Sequence, residues 1–502
     1  MRFQYVQDRC ASQIDELSLL VNRRQKRSTT NFLKDSHEKM AGEHRFALLV
    51  IAFGGDMSSG PVAGLLGINV LLLLVFVFSP KKANRQKDTI FLSLLFFVSG
   101  MPALVYQVVW QRALFAIYGI NSQSVAVVVT AFMLGLGIGS LVGGWLSSRF
   151  PKQGIFFFAV AELGVAVFGL CSLWIFHWAS VYTAGANLGS VIIFSLCLLL
   201  VPTVLMGATF PLLVEYLVLH SSRVGASVSL LYFVNTSGSA LASYLCAVVL
   251  LKNFGQSGSV SIAACANALV GGTAYLIARG AGRSGEETAE SGRPESGTAR
   301  LPLRMAIILA GFSGFISLGF EIMWYRVFAL ASADRAPAFA MMLATFLGGI
   351  ALGAYLTEKW AERRGTVDAV ILLGILLLLA GAVSVYLPPL VALLLTKRIS
   401  YLMSAPAFFL ASAFVGSVFP LVCQLAIAPE KDVGRKVSLV YVSNILGSAV
   451  GSLGVGFVLT QYFGIKALSL GLGALAAVLG ILVLFSAGQA AGTGRAGRGR
   501  QW

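Results

Sequence analysis

The chain has 502 residues, of which 57% are hydrophobic and only 12% charged, and its net charge is +16; its mean hydropathy is +0.82. A soluble domain carries about 25% charged residues. This chain cannot hide so much apolar surface from water, so its main solvent is lipid, and its basic excess reports membrane topology and anionic headgroups rather than nucleic acid.

A spanning helix needs about 20 mainly apolar residues. In chain order, such runs occupy 61–79, 89–112, 122–148, 153–178, 189–218, 226–250, 258–279, 303–328, 336–358, 367–390, 399–427, 437–460 and 466–486. They predict an all-α polytopic membrane protein with about 13 transmembrane helices. Barrel strands are excluded by the length of the runs and their lack of strict alternation.

Residues 1–45 form a basic polar arm, and 46–88 an extra hydrophobic segment with its loop. A single pass at 61–79 would export the arm despite its charge. A hairpin over 46–79, or a start at Met57, would avoid that. No signal peptide is expected, because the apolar run leads into "SPKKANR" and not a small-residue cleavage site.

Six runs (89–279) are followed by a polar, Gly/Ser-rich stretch at 280–302, which reads as a flexible linker. Six more runs (303–486) and a basic tail (487–502) follow. The two blocks align with each other. At an offset of 214, Ser99, Gly100, Trp110, Arg112, Gly135 and Gly139 match Ser313, Gly314, Trp324, Arg326, Gly349 and Gly353. At an offset of 209, "GATFPL" matches "GSVFPL" and "YFVNTSGSA" matches "YVSNILGSA". A duplicated gene with six passes per copy gives two parallel repeats, related by an axis along the membrane normal. Placing the loop at 80–88 inside puts the linker, the C-terminus and most Lys and Arg in the cytoplasm. Arg112, Lys252, Arg326, Arg335, Lys397, Arg398 and Lys466 then fall outside.

Polar groups inside the runs are the candidate site. Glu162 sits nine positions into its span, at a depth of about 14 Å. A carboxylate there is costly and normally faces a cavity or a partner. A proton- or cation-binding role and a structural hydrogen bond between helices both fit. Gln107 aligns with Glu321, and Glu215 with Gln424, so acid and amide exchange places between the copies. Tyr232 with Asn235, and Tyr441 with Asn444, share a helix face at a spacing of three. That face either packs helix on helix or lines a solute path. Trp110, Arg112, Trp324 and Arg326 fall near the outer ends of their spans. They read as interface anchors or as a gate. The six Cys lack a CxxC pair and the four His are dispersed, so no metal site, cofactor or catalytic constellation is expected.

The stretches "SGMPALVYQVVWQR", "AFMLGLGIGSLVGG" and "LYFVNTSGSA" resemble the membrane part of the spermidine-synthase-like multipass proteins, the fused major-facilitator/spermidine-synthase family. The resemblance covers roughly 91–485. It implies a bacterial inner-membrane protein with a transporter-like, major-facilitator-like fold. Fused relatives append a soluble aminopropyltransferase-like domain, but this chain ends in "SAGQAAGTGRAGRGRQW" and has no Gly-rich nucleotide loop outside a membrane span. Enzymatic activity is therefore not expected. Two functions follow as expectations: transport of a small polar or cationic, polyamine-like solute by alternating access, or a membrane scaffold for a separately encoded aminopropyltransferase- or methyltransferase-like enzyme.

Overall fold

A computed structural model describes residues 60–78, 84–118, 122–183, 188–221, 223–283, 301–332, 337–361, 366–429 and 432–498. The arm at 1–45 and nearly all of the linker lie outside these residues. Every regular element described is helical.

An extra helix, α1 (Gly60–Phe78), precedes the repeats. The first repeat comprises α2 (Asn84–Tyr118), α3 (Ser122–Arg149), α4 (Gly154–Tyr182), α5 (Leu188–Ser221), α6 (Val224–Leu245) and α7 (Leu251–Arg283). The second comprises α8 (Leu303–Ser332), α9 (Pro337–Ala361), α10 (Thr366–Thr396), the broken pair α11 (Ala405–Gly416) and α12 (Val418–Ala426), α13 (Val433–Leu453), and α14 (Ile465–Arg498). The break between α11 and α12 lies just before Pro420, whose ring opposes the carbonyl of Gly416 four residues earlier. The expected C-terminal tail is helical as far as Arg498.

Among the described residues, eleven helices are long and apolar enough to span a membrane, and the expected count of 13 is not confirmed. The runs at 226–250 and 258–279 fall in one continuous segment, Val224–Gly280, of 57 residues. Straight, it would measure about 85 Å, far beyond a hydrocarbon core of about 30 Å. It breaks at Gly255, whose φ of 63° and ψ of −166° suit a residue without a Cβ. α1 is apolar along its 19 residues. Outward-facing side chains are apolar, as with Val167, Leu170 and Trp174 on α4. Such a surface fits lipid, and the chain is a multipass membrane protein.

Each helix pairing in one repeat recurs in the other. α3 packs on α5 as α9 does on α11; α2 packs on α6 as α8 does on α13; α4 packs on α7 as α10 does on α14. The repeats meet along two related seams, α3 against α13 and α6 against α9. α1 leans on α9, where Asn69 Nδ2 donates to the Gly348 carbonyl at 2.9 Å.

Glycine makes these pairings possible. A Cβ at Gly100 would strike the carbonyl of Asn235, and one at Gly314 the carbonyl of Asn444. Gly139 and Gly353 press in the same way on the carbonyls of Val204 and Ala413. Hydrogen bonds run along the same lines. Asn235 Nδ2 donates to Phe96 O at 3.3 Å, and Asn444 Nδ2 to Ala310 O at 3.0 Å. Ser239 Oγ donates to Gly100 O at 2.9 Å.

The duplicated tryptophans are core residues. Trp110 and Trp324 are fully buried, which removes the expected role as headgroup anchors. Trp110 stacks on Tyr106 with centroids 4.8 Å apart, and its Nε1 donates to Ser172 Oγ at 2.9 Å. Trp324 stacks on Phe320 at 5.5 Å and meets Phe408 edge-on at 5.1 Å. Long apolar flanks carry these rings inward, and the bundle's aromatic centre accepts them.

Two stability predictions follow from this packing. Gly314→Val should destabilise the detergent-solubilised protein by about 1–3 kcal/mol, read as a lower Tm, while Gly272→Val, with nothing within 4 Å of its Cβ position, leaves Tm near wild type. Trp324→Ala should remove about 3–5 kcal/mol and exceed the effect of Trp174→Ala on the outer face, in the same melting assay.

Candidate functional site

A cavity of about 220 Å³ lies where the repeats meet. Its walls come from α2, α3, α4, α5, α6 and α7 on one side and α8, α9 and α13 on the other. Seven sequence candidates line it: Gln107, Glu162, Tyr232, Asn235, Glu321, Tyr441 and Asn444. Asn235 and Asn444 thus serve both earlier readings, because each bonds a neighbouring helix and also borders the cavity. No Lys, Arg or His is among the lining residues.

The two carboxylates are held differently. Glu162 on α4 is buried. Its Oε1 accepts from Ser99 Oγ at 2.6 Å, and its Oε2 accepts from Asn267 Nδ2 at 2.6 Å. Three helices, α2, α4 and α7, converge on that one group. Charge-assisted bonds of this kind are short and strong, and they offset the desolvation of a buried acid. Glu321 on α8 is 5% exposed and has no hydrogen-bond partner among the described residues. The related Gln107 on α2 is 7% exposed and is likewise unpartnered there.

Glu215 and Gln424 do not line the cavity; they lie at the ends of α5 and α12. The backbone N–H of Gly434, at the start of α13, donates to Glu215 Oε2. This joins the first repeat to the second through a carboxylate on a helix N-terminus, where the dipole favours negative charge. Gln424 packs against Gly225, at the start of α6, with its Cγ 2.7 Å from where a Cβ would sit. The two contacts are related by the 209-residue offset. One is charged and the other neutral.

Four rings close the cavity on this side. Phe210 and Tyr232 come from the first repeat, and Phe419 and Tyr441 from the second. Ring centroids are 6.3 Å apart for Phe210–Phe419, 5.2 Å for Phe210–Tyr441, 5.4 Å for Tyr232–Phe419 and 5.4 Å for Phe419–Tyr441. The aromatic quartet and the Glu215–Gly434 bond form two successive layers toward the α5–α6 end.

Arg112 and Arg326 lie at the opposite end of their helices and outside the cavity lining. Arg326 Nη2 donates to Gly456 O at 2.9 Å, within a π-helical turn at Gly454–Leu459. The first repeat has a matching π-helical turn at Cys246–Leu250. Such turns leave a carbonyl without its helical partner and cluster at functional sites. A guanidinium supplies a donor there.

Sequence reasoning missed three parts of this arrangement. Ser99 and Asn267 were visible as polar residues in spans, but not as partners of Glu162. Phe210 and Phe419 sat in the repeated "GATFPL"/"GSVFPL" motif without a role. Gly225 and Gly434 gave no signal beyond their repetition.

No family model matches the chain, and no curated protein matches it. Solved structures do. The major-facilitator proton:xylose symporter XylE, bound to 6-bromo-6-deoxy-D-glucose, is 14% identical over 78% of this chain and 94% of its own, with a TM-score of 0.55. The major-facilitator transporter FucP in an outward conformation is 14% identical over 78% and 97%, with a TM-score of 0.51. A bacterial homologue of the iron transporter ferroportin, outward-facing with soaked iron, is 12% identical over 79% and 98%, with a TM-score of 0.55. Together with the paired six-helix repeats, these likenesses give the chain the fold of major-facilitator transporters.

Proposed function

We propose that the chain is a membrane transporter that moves a small polar or cationic solute by alternating access. The observation that carries this reading is the cavity at the seam of the repeats, lined from both sides, with residues of both repeats in contact at one end of it. Rocking about the α3–α13 and α6–α9 seams would separate Glu215 from Gly434 and part the aromatic quartet. The small side chains on those seams, such as Gly137 and Gly144 on α3, allow one bundle to slide on the other without interlocked bulk.

In this reading the α5–α6 end faces the cytoplasm, because the basic residues of the sequence concentrate on that side. The conformation described is then closed inside. The likeness of its motifs to the spermidine-synthase-like proteins supports a bacterial inner-membrane location. Glu162 and Glu321 supply the negative charge a cationic solute needs, and the Tyr/Asn pairs supply neutral polar contacts. Glu162, fixed by two donors, also suits a bound coupling proton, since protonation would disturb the tie among α2, α4 and α7.

The experiment is side-specific labelling. A cysteine at cavity-lining Thr209, in a background without native cysteines, should react slowly with a membrane-impermeant maleimide from the cytoplasmic side. Glu215→Ala removes a charge-assisted bond worth about 1.5–3 kcal/mol, so cytoplasmic labelling should rise by about 10–100-fold. Labelling confined to one side in both proteins would overturn the alternating-access reading. For the coupling role, Ser99→Ala should lower the efficiency of proton-driven uptake while leaving Tm within about 1–3 kcal/mol of wild type in stability; unchanged coupling in a reconstituted uptake assay would remove Glu162 from that role.

A further inference from the structure

We infer that α1 is a built-in brace across the α6–α9 seam, anchored on the second repeat by Asn69 and holding the two bundles in the conformation described. The inference rests on the transporter reading and adds a device that biases its cycle.

α1 has two faces. Val62, Leu66, Asn69, Val70 and Leu73 are buried, and their spacing of i, i+4, i+7, i+8 and i+11 sets them along one side of a helix. Ile68 and Leu71 are exposed and suit lipid tails. α1 packs on α9 and α11 of the second repeat and also on α6 of the first. One helix outside the duplicated set thus touches both bundles at one seam. Among the described residues, no helix takes the related place at the α3–α13 seam. The chain that would supply it, just before α8, is the polar stretch at 280–302.

The docking is set in one register. Asn69 is the one side chain of this apolar helix with a hydrogen-bonding group. It is buried, its Nδ2 donates to the Gly348 carbonyl at 2.9 Å, and its Oδ1 has no hydrogen-bond partner. A leucine there would avoid that cost. What the asparagine adds is alignment: leucines and valines alone would let α1 slide or turn on α9, whereas a single buried asparagine fixes the register of a helix pair. Gly348 receives it. A Cβ on Gly348 would lie 2.9 Å from Leu66 Cδ2, 3.1 Å from Phe409 Cε2 and 3.3 Å from Asn69 Nδ2. The repeat ties this glycine to α1. Gly349 and Gly353, which press on the α11 carbonyls of Phe409 and Ala413, match Gly135 and Gly139 of α3. Gly348 instead matches Leu134, which is half-buried. The glycines that pack a repeat on itself are duplicated, and the one that admits α1 is not.

A brace biases a conformation through contacts that differ between states. Anchored on α9 and α11, α1 moves with the second repeat when the bundles rock, and its contact with α6 changes. The contacts described coexist with the Glu215–Gly434 bond, in the form read as closed inside. Loosening α1 therefore favours the form open to the cytoplasm.

The test adds α1 variants to the full-length Thr209→Cys protein in its cysteine-free background, with the membrane-impermeant maleimide as probe. Asn69→Leu removes the tie and keeps an apolar side chain of similar size. It should speed cytoplasmic labelling by about 2–10-fold, the span that one hydrogen bond commands. Gly348→Ala, which crowds Leu66 and Asn69 by one methyl, should act in the same direction. A helix that only packs would lower Tm in these variants and leave the labelling rate where it was. Wild-type labelling in both variants, or slower cytoplasmic labelling in either, would overturn the brace. Glu215→Ala separates the two ideas. If it opens the cytoplasmic side and the α1 variants do not, the transporter reading stands and the brace falls. If labelling stays one-sided in every variant, Glu215→Ala included, alternating access itself falls.

Discussion

In a bilayer, helices gain little by hiding apolar surface from one another, because lipid tails are as apolar as leucine. Close approach must come from dispersion contact and hydrogen bonds between helices. Here that approach takes one repeated form, in which a glycine on one helix lies against a backbone carbonyl on its neighbour. Gly100 faces Asn235 and Gly314 faces Asn444; Gly139 faces Val204 and Gly353 faces Ala413. The asparagine amides then reach back to Phe96 and Ala310, one turn away. Each half is assembled around these contacts, and the cavity is what remains between the assembled halves. The 54 glycines of the sequence are in part the record of this packing.

The frame is symmetric and the chemistry is not. Stacked pairs Tyr106–Trp110 and Phe320–Trp324 occupy related places. So do the π-helical turns at Cys246–Leu250 and Gly454–Leu459. The charges break the relation. Glu162 has no acidic counterpart in the second repeat, Glu321 aligns with the amide Gln107, and Glu215 aligns with the amide Gln424. Duplication supplied a scaffold whose two halves share their packing residues, while the titratable groups diverged.

The two-repeat architecture was legible in the sequence because it depends on features that a chain in lipid must display: long apolar runs, and small residues at fixed spacing. The Val224–Gly280 segment was read as two runs, 226–250 and 258–279, and the helix breaks between them at Gly255. The tryptophans were misread as headgroup anchors, since distance along a helix does not say which way a side chain points. Trp110 points inward because Ser172, Phe168 and Phe176 on α4 receive it. Of the site, the acids could be found, because charge in an apolar run stands out. Their partners could not, since Ser99, Asn267 and Gly434 are ordinary residues that matter only through contacts 63, 105 and 219 positions away.

The three buried carboxylates differ in whether their partner can leave. Glu162 is bonded within the first repeat, to α2 and α7, and a rigid-body motion of the halves leaves both bonds intact. Glu215 is bonded across the seam, so its bond lasts only while α5 and α13 stay in contact. Glu321 has no hydrogen-bond partner among the described residues. Separating α5 from α13 would expose Glu215 to solvent, which can rehydrate it, at the loss of one charge-assisted bond of about 1.5–3 kcal/mol. All three lack an acidic counterpart in the other repeat, and they differ in what holds them: a tie within one repeat, a tie across the seam, and no bond among the described residues.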